Sequence, residues 1–179
     1  MRILCLSGGL DSATVLFTEK VDACLVVNYG QPHIAEVRLA RTFAFMRGVP
    51  IHEVTINYSQ APTGGIMGGN DLTPSAAVVP GRNSMFVAFA AMHGAAEVLL
   101  GCNADDQEAF IDCRLDNLRK VGNVCGVKVA LPLVQFTKSQ VHLLALDAGV
   151  PVDLCLSCYR GTNCGQCAAC KLRAGKEAK

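Results

Sequence analysis

Ile3-Leu4-Cys5-Leu6-Ser7-Gly8-Gly9-Leu10-Asp11-Ser12-Ala13-Thr14 is the stretch on which the fold turns. A short, wholly apolar run ended by glycines predicts a strand buried on both faces of a parallel sheet. Gly8 and Gly9 let the chain turn sharply and expose bare backbone N–H groups to a ligand. The helical segment from Asp11 to Lys20 would set the positive end of a helix dipole under that turn. Strand, glycine turn and helix N-terminus together make an anion cradle. A Walker A loop is excluded, because no lysine follows the glycines and Gly-x-x-x-x-Gly-Lys-[Ser/Thr] is absent. The plainer alternative is a tight strand–helix turn capped by Asp11.

The 179 residues, 51% of them hydrophobic, suffice for one domain with a sizeable core. A net charge of +1 provides no basic field for nucleic acid. No signal peptide, transit peptide or long apolar span is visible, so no membrane partner and a cytoplasmic location are expected.

Downstream of the loop, strands and helices alternate. Ala23–Val27 reads as a second buried strand, Ile34–Arg47 as a helix closed by Gly48 and Pro50, and Ile51–Ile56 as a third strand. Residues Asn57–Asn83 lack periodicity and read as a long connection. Met85–Ala96 is an apolar helix, Glu97–Gly101 a fourth strand and Cys102–Arg114 a polar loop. Leu115–Val121 reads as a short helix and Lys128–Leu131 as a fifth strand. Thr137 caps a helix over Lys138–Ala148. The alternation predicts a doubly wound parallel α/β sheet, with ligands beyond the carboxyl ends of its strands.

Five of the ten cysteines crowd into Cys155–Cys170. Cys158-x5-Cys164-x2-Cys167-x2-Cys170 has the spacing of a structural zinc site, with Cys155 as a fifth candidate. An iron–sulfur cluster and a Cys-x-x-Cys redox couple are the competing readings. The remaining cysteines, Cys5, Cys24, Cys102, Cys113 and Cys125, read as small apolar core residues.

Ser7-Gly8-Gly9-Leu10-Asp11-Ser12 resembles the pyrophosphate loop of the N-type ATP pyrophosphatases (PP-loop enzymes), which cleave ATP to AMP and pyrophosphate. Asn28-Tyr29-Gly30-Gln31-Pro32-His33, Gly81-Arg82-Asn83, Asp112-Cys113-Arg114, Phe136-Thr137-Lys138 and the array from Cys158-Tyr159 to Arg173 narrow the likeness. Taken in this order, they resemble the 7-cyano-7-deazaguanine synthases, the QueC family, over nearly the whole chain.

That resemblance implies a carbon–nitrogen ligase with ATP, Mg2+ and Zn2+ as cofactors, and a deazapurine and ammonia as its small-molecule partners. It implies direct binding of no nucleic acid, and suggests a homodimer. Leu6, Ser7, Gly8, Gly9, Leu10, Asp11, Ser12, Ala13 and Thr14 would bind the nucleotide. Asp11, Arg82, Asp112, Arg114 and Lys138 would form the catalytic set. Within it, Lys138 would aid the departing pyrophosphate, and Asp11 would act through the metal or by fixing the loop. Asp112 would read the guanine-like edge, and Arg82 and Arg114 would meet phosphate or carboxylate, or else brace a loop by ion pairing. Cys158, Cys164, Cys167 and Cys170 would be the zinc ligands, leaving Cys155 spare. Residues 1–154 would form the PP-loop domain and 155–179 a zinc-binding segment packed on it.

Departures from the family pattern are Asn28, Pro32, Gln107-Glu108-Ala109-Phe110-Ile111, and losses of length around Asn57–Asn83 and between Arg114 and Lys128. They raise two alternative functions: a variant that releases the 7-amido intermediate, and a PP-loop tRNA-thiolating enzyme. A non-catalytic nucleotide sensor would not need Asp112, Arg114 and Lys138.

Overall fold

Successive residues of the first strand enter different cores. In β1 (Arg2–Cys5), Leu4 packs with one buried cluster and Ile3 and Cys5 with another, and Leu6 returns to the first. In β2 (Ala23–Asn28), Cys24 and Val26 face one side, and Ala23, Leu25 and Val27 the other. This period-two division of a continuous apolar run is what a central strand covered on both faces requires. The computed structural model describes residues 1–31, 34–56, 79–155 and 165–166.

Among the described residues, β3 (Ile51–Thr55), β4 (Glu97–Leu99) and β5 (Lys128–Ala130) complete a five-stranded sheet. Its order is β3-β2-β1-β4-β5, and every neighbouring pair is parallel. Helices α1 (Leu10–Thr18), α2 (Ile34–Arg47) and α6 (Lys138–Asp147) cover one face. Helices α3 (Arg82–Met92) and α5 (Leu115–Cys125) cover the other. The chain runs outward from β1 through β2 to β3, then returns to the opposite side of β1 as β4. The crevice between the ends of β1 and β4 is therefore the topological switch point, where ligands bind in sheets of this kind.

The doubly wound sheet agrees with the sequence reading. Most element boundaries differ by one or two residues, and those of α3 and α5 by more. The α3 helix starts at Arg82, because Gly81, in the left-handed region at φ 73°, turns the chain directly into it. It ends at Met92, and Gly94 adopts φ 82° just beyond. Helix α5 runs four residues past Val121 to Cys125 and closes on Gly126 at φ 69°. The segment read as a polar loop contains α4 (Ala104–Ala109), started by a capping box in which Asn103 and Asp106 each accept the other's backbone N–H. One turn of 3-10 helix follows at Ile111–Cys113. The α4 sequence has no apolar stripe and buries no residue, so periodicity gave no sign of it.

The expected four-cysteine zinc segment is corrected. A structural zinc site needs four converging donors. Among the described residues, no group of three or more His, Cys, Asp or Glu side chains could hold a metal ion. Cys5, Cys24, Cys102, Cys113 and Cys125 are free thiols, and of these and Cys155 all but Cys125 are buried. Cys158, Cys164, Cys167 and Cys170, named as the ligands, lie outside the described residues. Among the described residues, then, nothing supports zinc as a cofactor or metal binding as a property. Pro32, His33 and most of the long connection after β3 also lie outside the described residues. Among those described, no helix is long and apolar enough to cross a membrane.

Candidate active site

The glycine loop leaves the carboxyl end of β1 and enters α1 without a side-chain cap. Gly8 sits at φ 83°, and a Cβ on it would lie 2.3 Å from the Glu36 carbonyl oxygen of α2. Only glycine fits there, so α2 packs directly on the backbone of the loop. Ser7 and Ser12 brace it. Their hydroxyls are 3.0 Å apart, Ser7 N donates to Ser12 Oγ at 3.2 Å, and Ser12 Oγ donates to the Gly9 carbonyl at 3.1 Å. The first-turn N–H groups of α1 have no acceptor within the helix, which makes this end a place for an anion. A pyrophosphate group fits such a cradle. Of the other residues expected to bind nucleotide, Leu6, Leu10, Ala13 and Thr14 have buried side chains. Thr14 Oγ1 donates back to Leu10 O at 2.8 Å.

Lys138 and Asp11 come together. Lys138 Nζ is ion-paired with Asp11 Oδ2, bringing the first turn of α6 to the first turn of α1. The other Asp11 oxygen, Oδ1, accepts from Asn103 Nδ2 at 3.4 Å. The α4 and α6 N-termini are stapled to each other: Lys138 N donates to Asp105 Oδ2 at 2.8 Å, and Ala104 N to Phe136 O at 2.9 Å. Asp106, half-buried behind this cluster, has its carboxyl held above the usual range, first by desolvation and then by the charge of Asp11.

The Gly-Arg-Asn and Asp-Cys-Arg motifs meet on the other face. Asn83 is buried, and its Nδ2 donates to Asp112 Oδ2 at 3.0 Å, to Asp112 O at 3.2 Å and to Cys113 Sγ at 3.4 Å. The Arg82 guanidinium lies against Tyr29, Asp112 and Cys113. Burial opposes its charge, but these neighbours outweigh burial and lift its pKa above the ordinary value. Arg82 Nε is buried without a hydrogen-bond partner. Burial pushes the Tyr29 phenol up, and Arg82 pulls it part of the way back. Arg114 differs: it is exposed, and its Nε donates to the Gln107 carbonyl at 3.3 Å, a loop-bracing contact. The two groups of residues adjoin through Cys102. Its thiol is raised well above the ordinary range by a hydrogen bond with Cys113 and by burial, and it feels both Asp106 and Arg82.

Four residues here were not singled out from the sequence. Gly101, two residues beyond β4, lies so close to α1 that a Cβ on it would lie 2.8 Å from Ser12 N. Asn103 reaches Asp11, and the Asn-x-x-Asp capping spacing was the signal that would have revealed it. Asn83 was quoted only as part of its motif. Gln107 accepts from Leu115 N at 2.9 Å through Oε1 and donates to the Cys113 carbonyl, fixing the turn that carries Asp112. A separate cleft of about 190 Å3 lies between α2 and the ends of β2 and β3, lined by Asn28, Arg38, Arg41 and Glu53 among others. None of the expected catalytic residues lines it.

Against known proteins, residues 1–177 match the family described as "Queuosine biosynthesis protein QueC". The 7-cyano-7-deazaguanine synthase of Paramagnetospirillum magneticum is 34% identical over 211 aligned positions, covering 96% of this chain and 91% of the relative. That of Azotobacter vinelandii is 34% identical over 208, covering 96% and 91%. Among solved structures, the NMN synthetase of Francisella tularensis superposes with a TM-score of 0.59 at 19% identity, over 99% of this chain and 78% of that one. Likeness at that identity speaks to the fold alone.

Proposed function

The chain belongs to the QueC family of ATP-dependent carbon–nitrogen ligases, and on that footing we propose that it turns 7-carboxy-7-deazaguanine and ammonia into 7-cyano-7-deazaguanine, cleaving ATP to AMP and pyrophosphate. The observation that carries the reading is the 3.0 Å hydrogen bond from Asn83 to Asp112, which joins two separate sequence motifs beside the loop cluster. A carboxylate resists amination because oxide is a poor leaving group. Attack of its oxygen on the α-phosphorus of ATP releases pyrophosphate and makes an acyl adenylate, from which ammonia displaces AMP to give the amide. Adenylation of the amide oxygen by a second ATP, then loss of AMP and protons, leaves the nitrile.

The tasks of the chain are positioning and charge stabilisation. In this reading the loop N–H groups and Lys138 hold the departing pyrophosphate, and Asp11 keeps Lys138 over the loop until phosphate arrives. When bound with the nucleotide, Mg2+ would supply neutralisation of phosphate charge. Arg82 meets the substrate carboxylate through its unpartnered Nε, and Asp112 accepts from the paired N–H donors of the guanine-like edge. Arg114 holds the turn that carries Asp112. We place all of this in residues 1–154. Phosphorus NMR of ATP turnover with the acid and ammonium tests it: AMP and pyrophosphate are expected, and ADP with inorganic phosphate would overturn the adenylation mechanism.

A further inference from the structure

Asn103 is 1% exposed and caps α4, a role that needs only an acceptor. Its Oδ1 is spent on that cap, accepting Asp106 N at 3.0 Å, which turns Nδ2 outward to Asp11 Oδ1. A serine or an aspartate would cap as well, but neither would offer an amide donor to Asp11. An aspartate would also add a carboxylate beside Asp11, Asp105 and Asp106.

The surrounding backbone keeps Asn103 at this distance. Gly101 presses the chain just beyond β4 onto α1, with no room for a Cβ, and Ala104 and Asp105 tie the start of α4 to Phe136 and Lys138. We propose that Asn103 is a positioning residue for the reaction: from across the switch point it holds one oxygen of Asp11, so that the other faces Lys138 above the glycine loop. This rests on the function proposed above.

The test compares Asn103→Ser and Asn103→Asp with wild type in the full chain. It reads the melting temperature, calorimetric affinity for a non-hydrolysable ATP analogue with Mg2+, and kcat for pyrophosphate release. Both variants keep a cap acceptor, so Asn103→Ser should melt with the wild type, whereas Asn103→Asp, with a buried carboxylate added beside three others, should melt lower at neutral pH. Losing a hydrogen bond to a charged group should cost Asn103→Ser about tenfold in analogue affinity or in kcat. Asn103→Asp should lose more at neutral pH and recover toward the serine variant as acid protonates the added carboxyl, a pH response that capping alone would not give. Wild-type affinity and kcat in Asn103→Ser would overturn the proposal. So would losses in Asn103→Ser that simply follow a drop in melting temperature. If wild type itself releases no pyrophosphate, the functional reading fails, and analogue affinity alone then decides for or against Asn103.

Discussion

Lys138 Nζ rests on Asp11 Oδ2, so residues 127 positions apart in sequence tie the start of α6 to the start of α1. Both side chains are partly exposed, which makes the pair a small contributor to stability, about 0–1 kcal/mol. In the function proposed above, its value lies in holding a cation beside the loop. Lys138→Met should therefore leave the melting temperature nearly unchanged while pyrophosphate release falls about 10²- to 10³-fold, the usual cost of removing one electrostatic donor. Melting curves and steady-state kinetics on one preparation check both halves.

Two glycines beside α1 leave no space for a side chain, for different reasons. Gly8→Ala would force a Cβ against the Glu36 carbonyl at 2.3 Å and hold alanine at positive φ. Gly101→Ala would press on the backbone of Ser12 at 2.8 Å, with no conformational objection of its own. The first should cost about 1–3 kcal/mol of stability together with ATP turnover. The second should displace the loop and lower turnover with a smaller stability loss. Urea unfolding and ATP turnover separate them.

Asn83→Ala should be costly for a polar-to-small change. It removes the donor that binds Asp112 in its half-buried position and the contact to Cys113 Sγ, and the unpaired groups left behind are expected to cost about 1–3 kcal/mol. If Asn83 also orients Asp112 for the substrate, KM for the deazapurine should rise more than KM for ATP. Equal effects on the two would deny Asn83 that role.

Asp106 gives the chain a pH signature. Its carboxyl titrates above the 3.8 expected when unfolded, first because it is desolvated and then because Asp11 is near. Between 3.8 and that raised value the folded chain binds more protons than the unfolded one, so wild-type stability falls as pH rises through the window. Relative to Asp106→Asn, wild type should be unpenalised below the window, lose ground across it and stay flat above. Denaturant unfolding of the pair at several pH values checks the sign.

The central strands were legible because a buried parallel strand is a short apolar run, and Ile3–Leu6 and Ala23–Val27 are such runs. Thr137 and Gly8 were legible because a helix cap and a left-handed turn each demand particular residue types. The order of the strands was not, since nothing in β4 says that it lies against β1. The short polar helix α4 escaped for want of an apolar face, and with it went the contact from Asn103 to Asp11. The meeting of Asn83 with Asp112 joins positions 29 apart and depends on α3 and α5 packing on one face. The dense cysteines near the C-terminus suggested zinc by spacing alone, but spacing does not supply convergence, and the described residues hold no cluster that could bind it.

The most direct test of the account follows products in time by mass spectrometry, with 7-carboxy-7-deazaguanine, ATP, Mg2+ and excess ammonium. The account predicts an amide that rises briefly and gives way to the nitrile, with two AMP formed per nitrile. Amide that accumulates and is never consumed, or acid left untouched while ATP persists, would contradict it.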